Sequence, residues 1–308
     1  MNIEQYGQFA AAFGLRRNRK EKTRFIENLK PLFENYGYKM TAYEDRLGLR
    51  KINHVVFGDP GEADYVFVCG YDTTERIILG DGRYWPLEES RNKSKTFVNL
   101  TIYLVLAIVL VVVGVLIIRQ GFTFEGFRKI VMIITGTAFI YVANRVSQGL
   151  PNRTTFAKTS SIFLLFELAS AMKGKKYSFV FADYGAFSRI GLDFLSKNEL
   201  VNDRQTVIYV DCMSDGDRLL IAHGPKAGKA AEIIKEKYKG KKAIEALAKG
   251  DNHRFTGLDN WIVLCNVYQD EKDDSLYVPN VRTDEDLTID TETIDNTVNA
   301  LKGLGDAK

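Results

Sequence analysis

Three aspartates stand where carboxylates can do chemistry. Asp72, Asp183 and Asp211 each closely follow an apolar, strand-like run, YVFVC, SFVFA and TVIYV respectively. Carboxylates gathered at strand ends serve as metal ligands or as the acidic half of an ion-pair network. Partners for a metal are scarce, because the three histidines, His54, His223 and His253, lie far apart. The three cysteines, Cys69, Cys212 and Cys265, include no C-x-x-C pair, so neither a zinc knuckle nor a disulfide framework is suggested and a reducing compartment is the simpler expectation. A glycine-lysine stretch, GPKAGKA at 224–230, has its glycines one residue too close for a phosphate-binding loop and no Ser or Thr after the lysine.

Positioning three strand-end carboxylates takes a sheet, and the patterning supplies one. Apolar residues Phe25, Ile26, Leu29 and Phe33 mark a helix over 21–36, with Pro31 inside it and Gly37 behind it. Strands are expected at 54–57, 65–69, 178–182, 206–210 and 261–267, and further helices at 160–172, 227–238 and 290–301. Strands alternating with helices predict an α/β fold, with a mixed, mostly parallel sheet and helices on both faces.

One segment does not belong to such a sheet. Residues 97–118 carry no charge and are broken only by Asn99, Thr101 and Tyr103 near the start. At about 1.5 Å per residue the run extends about 33 Å, enough to cross the hydrocarbon core. A second apolar segment at 130–144 is shorter, but without it the two soluble parts would be separated by the bilayer. The sequence thus divides into 1–90, a two-helix transmembrane hairpin at 91–149, and 150–308. Arg91, Lys93 and Lys95 precede the first span, and Arg145, Arg153 and Lys158 follow the second, against Arg119, Arg128 and Lys129 in the connector. The positive-inside rule then predicts both termini in the cytoplasm, and residues 1–15 do not read as a secretory signal. The basic residues from Arg16 to Arg24 suit either a solvated face or contact with anionic lipid. The chain has 308 residues, 45% of them hydrophobic, and a formal charge of +3. That is an ordinary globular composition without the dense positive field of a nucleic-acid binder.

The order of ENYGYKM, NHVVFGDPGEADYVFVCGYDTT, TSSIFLLFELASAMKGKKYSFVFADYGAFSRIGLDFL, VIYVDCMSDGDRLLI and RTDEDLTIDTETID resembles the di-zinc aminopeptidases. That family includes bacterial leucyl aminopeptidases, glutamate carboxypeptidase and the non-enzymatic transferrin receptor. The resemblance implies a zinc-exopeptidase-like fold, in which His and carboxylate ligands hold two zinc ions and a Glu takes the proton from metal-bound water. Carried over position by position, the site is largely lost. The family's His-x-Asp falls on Gly70-Tyr71-Asp72, keeping the Asp and losing the ligand. The bridging Asp corresponds to Asn152, and the general base and its neighbouring ligand fall on Gly185 and Ala186. The Asp closing the next strand is kept as Asp211. The last ligand, in a His-Thr-x-x-Asp pattern, falls on Arg282 of RTDED. His253, in DNHRF, lies near an Asp-His pair that lines the family's pocket, although a surface or capping role is the favoured reading.

With Arg282 present, Asp72, Asp183 and Asp211 read more naturally as an ion-pair network than as a metal site. The resemblance implies a membrane-anchored pseudo-peptidase without catalytic residues or metal, whose vestigial pocket binds a peptide, a membrane protein or a lipid at the cytoplasmic surface. The alternatives are a working zinc aminopeptidase using Asp72, Asp211 and His253, and a protein whose hairpin is the functional part, packing through Gly114 or the Thr135-Gly136-Thr137 cluster.

Overall fold

The computed structural model describes residues 4, 7–8, 10–11, 14–47, 50–73, 75–152, 155–172, 174, 176–184, 193–247, 257–288 and 290–306. In chain order the elements are α1 (Arg19–Glu34), β1 (Met40–Leu47), β2 (Arg50–Phe57), β3 (Tyr65–Gly70), α2 (Glu89–Gly121), α3 (Phe127–Ser147), α4 (Phe156–Ala171), β4 (Tyr177–Ala182) and α5 (Asp193–Lys197). They continue with β5 (Thr206–Asp211), β6 (Arg218–His223), α6 (Gly228–Lys237), β7 (Lys242–Leu247), β8 (Trp261–Gln269), β9 (Leu276–Tyr277) and α7 (Thr291–Asp306).

The alternation of side chains along the strands explains the layers. In β3, Tyr65, Phe67 and Cys69 point into one core, while Val66 and Val68 point into the other. All six of its residues are buried, as a strand covered on both faces requires. The first core is roofed by α1, α4, α6 and α7, and Phe33 of α1 stacks on Phe57 of β2 at 4.4 Å. The second is closed by α5 through Phe194 and Leu195, together with Tyr84 and Val278 from loops. Helices thus lie on both faces, but unequally.

Among the described residues one sheet of nine strands runs in the order β1-β2-β4-β3-β5-β8-β6-β7, with β9 paired to β8. Its centre, β4-β3-β5-β8, is parallel, as is β6-β7, while β1-β2, β2-β4, β8-β6 and β8-β9 are antiparallel. β4, from after the hairpin, lies between β2 and β3 from before it, so the two sequence segments build one sheet. Because Gly70 pairs with Ala182 and Val68 with Tyr209, the ends of β3, β4 and β5 are level and bring Asp72, Asp183 and Asp211 to one rim.

Four strands lie outside the sequence expectation. β1 (MTAYEDRL) and β7 (KAIEAL) are charged edge strands, which read as loops because only one side of each is paired. β6 (RLLIAH) is largely buried, but its apolar run is bounded by Arg218 and His223 and follows an Asp-Gly turn, and β9 has only two residues. In α1, Asn18 and Glu21 form a reciprocal capping box. Pro31 falls within the last turn, so it does not break the helix, and Gly37 turns the chain away at φ +91°.

Both candidate spans are single helices, longer than the apolar runs at 97–118 and 130–144 within them, and each is long and apolar enough to cross a membrane. Fewer than a fifth of the residues in either apolar stretch are buried, which separates these helices from the core helix α4. They pair through small residues. A Cβ on Gly114 would lie 2.8 Å from the Gly136 carbonyl oxygen, and one on Gly136 would lie 2.4 Å from an Ile118 side-chain carbon. Gly114 and Gly136 are therefore used within the hairpin rather than left for another helix, which corrects the packing surface read from sequence. Thr135 and Thr137 return their hydroxyl protons to the carbonyls of Val131 and Ile133.

Candidate functional site

The site lies at the carboxyl ends of the central parallel strands, where α/β folds commonly bind ligands. Asp211 closes β5, and the chain turns at once through Cys212, at φ +46°. One Asp211 oxygen, Oδ1, accepts from the Lys158 Nζ at 2.5 Å, and the other, Oδ2, accepts from the Tyr84 hydroxyl at 2.7 Å. The Cys212 thiol adds a weak donor to Oδ1 at 3.3 Å. Lys158 and Asp211 are buried, and the ammonium also stands 4.1 Å from the centre of the Tyr84 ring. Burial works to lower the Lys158 pKa, but the Asp211 charge and hydrogen bond outweigh it and the net direction is upward. Lys158 is therefore a fixed cation at neutral pH. Burial, with Asp211 beside it, drives the Tyr84 pKa well above the usual phenol value. Burial likewise raises the thiols of Cys212 and Cys265, so neither is an activated nucleophile.

Lys158 reaches Asp211 from the first turn of α4. The Thr155 hydroxyl is donated to the Gly14 carbonyl, so the free N–H of Ala157 is taken instead by Asp286 Oδ1 at 2.8 Å. Burial raises the Asp286 pKa to about 7. Sequence reading passed over Asp286, although it is the final Asp of the His-Thr-x-x-Asp pattern that places Arg282. Lys158 was assigned to the basic flank of the second span, and the structure buries it in the site instead.

The second carboxylate is satisfied separately. Asp183, just beyond β4, accepts from Lys22 Nζ of α1 at 2.5 Å, from the Tyr184 N–H at 2.9 Å and from the Asn53 N–H at 3.3 Å. His54 Nδ1 accepts from the Asp183 N–H at 3.3 Å, and its ring stacks on Phe194 at 3.7 Å. Burial lowers the His54 pKa to about 4, leaving the ring neutral.

Asp72 lies two residues past Gly70, which ends β3, and is buried. The backbone around it is pinned by Arg16, whose Nε donates to the Tyr71 carbonyl at 2.5 Å and whose N–H donates to the Thr73 hydroxyl at 3.0 Å. Arg16 is fully buried, which removes it from the solvated or lipid-facing run in which its sequence context placed it. Asn152 and Arg282 line one small cavity with Thr73, Thr155, Lys158, Val281 and Asp286. Its free space is about 10 Å³, room for roughly one water.

Arg282, held at φ +76°, pairs with Glu75. Its Nη2 binds Glu75 Oε1, its Nε donates to the Glu75 carbonyl at 3.0 Å, and its Nη1 donates to the Thr96 hydroxyl of α2 at 3.0 Å. Burial lowers its pKa against the opposing Glu75 charge. The expectation was one ion-pair network of Asp72, Asp183 and Asp211 with Arg282; the ion pairs here are Lys158–Asp211, Lys22–Asp183 and Arg282–Glu75. Gly185, Ala186 and His253 lie outside the described residues.

This arrangement does not fit a zinc pair. Among the described residues no three His, Cys, Asp or Glu side chains are grouped to hold a metal ion. The Asp211 oxygens that would face a metal already face an ammonium and a phenol, and a cation entering there would meet the Lys158 charge in a low-dielectric setting.

No protein-family profile matches the chain, and no curated protein does. Its fold is shared with solved structures. Porphyromonas gingivalis glutaminyl cyclase superposes with a TM-score of 0.62 at 12% identity, covering 99% of this chain and 96% of that one. Bacteroides thetaiotaomicron glutaminyl cyclase, bound to N-acetylhistamine, gives 0.58 at 13% identity, covering 99% and 96%. The LapA aminopeptidase of Legionella pneumophila gives 0.53 at 12%, covering 98% of this chain and 70% of that one. The chain therefore has the glutaminyl cyclase and zinc-exopeptidase-like fold that its resemblance to the di-zinc aminopeptidases implied. At this identity the comparison establishes fold alone.

Proposed function

We propose that the chain is a membrane-anchored, catalytically inactive protein of this fold, which binds a peptide, membrane-protein or lipid partner at the cytoplasmic surface. The hairpin crosses the bilayer twice, leaving the domain and both termini on the cytoplasmic side. The observation that carries this reading is the lysine on Asp211. A working di-zinc site needs that carboxylate open to a metal, whereas Lys158 and Tyr84 take up both of its oxygens. Asn152 and Arg282 add to the argument, the first being a neutral ligand where a bridging carboxylate is required and the second a cation where an imidazole is required.

The second reading, a zinc-dependent aminopeptidase or cyclase with a rearranged site, is favoured by one observation, that the structures sharing the fold include enzymes of both kinds. Metal content and activity decide between the two. Purified in detergent without chelators, then incubated with excess zinc and desalted, the protein is expected to hold far less than one zinc per chain. It is also expected to leave aminoacyl reporter peptides and N-terminal glutaminyl peptides unchanged. One or two tightly held zinc ions with chelator-sensitive turnover would establish the enzyme instead.

A further inference from the structure

We infer that the loop carrying Ile78 and Leu79 is a second membrane contact, inserted beside the base of α2 at the boundary between headgroups and acyl chains. This rests on the reading that the hairpin spans a bilayer. The argument begins with depth. The apolar run of α2 starts at Phe97, so Asn99 and Tyr103 lie about 3 Å and about 9 Å further along the helix axis. The run is about 33 Å long against a hydrocarbon core of about 30 Å, which leaves little slack to lift these two residues clear of the membrane.

Both residues are hydrogen-bonded to the loop. The Asn99 side chain accepts from the Ile78 N–H at 3.0 Å and donates to the Arg76 carbonyl at 3.0 Å, and the Tyr103 hydroxyl donates to the same carbonyl at 2.7 Å. The loop is tied in turn to the domain, where the Ile77 N–H donates to the Arg282 carbonyl at 3.0 Å and the Arg76 N–H to the Leu150 carbonyl at 2.9 Å. Segment 76–78 therefore sits at the level of residues 99–103 and cannot be raised without breaking buried polar contacts.

Between the ion-paired Arg76 and Asp81, the tip of this loop shows apolar side chains. Ile78 is 37% exposed, Leu79 69% and Leu150, just beyond α3, 45%. In water these side chains would have no partner, whereas beside the emerging helices they meet acyl chains. Charged residues stand one step further out: Arg91 and Lys95 lie over the Trp85 ring at 3.9 and 4.4 Å, and Arg91, Lys93 and Lys95 pair with Glu88, Glu89 and Asp81. Apolar tips below a collar of ion pairs and an aromatic ring match the chemistry of a phospholipid interface. The domain would then be seated on the bilayer at three points, with Arg282 and its cavity at headgroup level through the bond to Thr96.

Single cysteines carrying the environment-sensitive fluorophore NBD test this in phosphatidylcholine vesicles that contain acyl-chain-brominated lipid. The three native cysteines are buried, so an introduced one is labelled selectively. Leu79→Cys is the test position. Leu106→Cys, on the exposed side of α2, reports the span, and Arg204→Cys, exposed ahead of β5, reports the opposite end of the parallel strands. The expected result is bromine quenching at both 79 and 106 and none at 204, with iodide quenching only at 204. Quenching at 106 with a probe at 79 as open to iodide as that at 204 overturns the second contact and leaves the span standing. No bromine quenching at 106 overturns the span and this inference with it.

Discussion

Asp183 and Asp211 close strands on either side of β3, and each holds a lysine ammonium at 2.5 Å, yet the two pairs are built differently. Lys158 comes from the first turn of a buried helix, and among the described residues its carboxylate partner otherwise accepts from a phenol and a thiol. Lys22 comes from a surface helix and keeps 13% of its side chain exposed, while Asp183 also accepts two backbone N–H groups. At the sealed end the cation is the principal compensation for a buried charge. At the open end it is one donor among several. Two strand-end carboxylates at one rim are thus satisfied in two ways, by enclosure with an internal cation and by donors from the backbone.

The difference should be largest in stability. Lys158→Ala is expected to destabilise the domain by about 3–5 kcal/mol, because it strands a buried carboxylate, and the paired change Lys158→Met with Asp211→Asn should recover most of that loss. Thermal unfolding in detergent measures both, and a Lys158→Ala protein as stable as the parent would show that Asp211 is not charged in the fold. Lys22→Ala should cost only about 1–2 kcal/mol, since Asp183 keeps its backbone donors and the lost partner was partly solvated. Equal losses in the two variants would erase the distinction.

The smallest effect is one of pH, and each cluster supplies one side of it. The Asp286 pKa is raised from 3.8 to about 7, so the folded state holds a proton that the unfolded state has released, and this contribution to stability falls as pH rises from about 4 to about 7. The His54 pKa is lowered from 6.5 to about 4, so the unfolded state binds the proton first, and its contribution falls as pH drops from 6.5 to about 4. The two slopes oppose one another in the parent protein. Relative to it, Asp286→Asn should become less stable on acidification and His54→Gln less stable toward neutrality, by at most about 1.4 kcal/mol per pH unit each. Urea unfolding at pH 4.5, 5.5 and 6.5 reads the signs, and variants that track the parent would mean that neither group is perturbed as described.

Much of this molecule could be read in advance. The central strands were legible because burial on both faces demands unbroken apolar runs such as YVFVC, and the hairpin because 97–118 has no charge and 104–113 no polar face. The edge strands β1 and β7 were not, since a strand paired on one side carries the charges of a surface loop. In the site, the resemblance pointed to Gly70, Asn152, Arg282 and Asp211, and Asp211 does stand at the centre of the buried contacts. Its partner was not legible. Lys158 looked like a membrane-flanking charge, and Arg16 looked like part of a basic surface, because nothing local distinguishes a buried lysine or arginine from an exposed one.

By itself, then, the sequence determined what depends on local order. Alternation and apolar run length specify the strands and the two long helices, and residue type rules out ligation by Gly70 or Arg282. Only the tertiary structure decided which cation meets which anion. The Lys158–Asp211 contact spans 53 residues, Lys22–Asp183 spans 161 and Arg282–Glu75 spans 207. Coulomb attraction has no sequence signature at such separations, and these pairs exist because the sheet register brings the strand ends level and the packed helices deliver their cations to that rim.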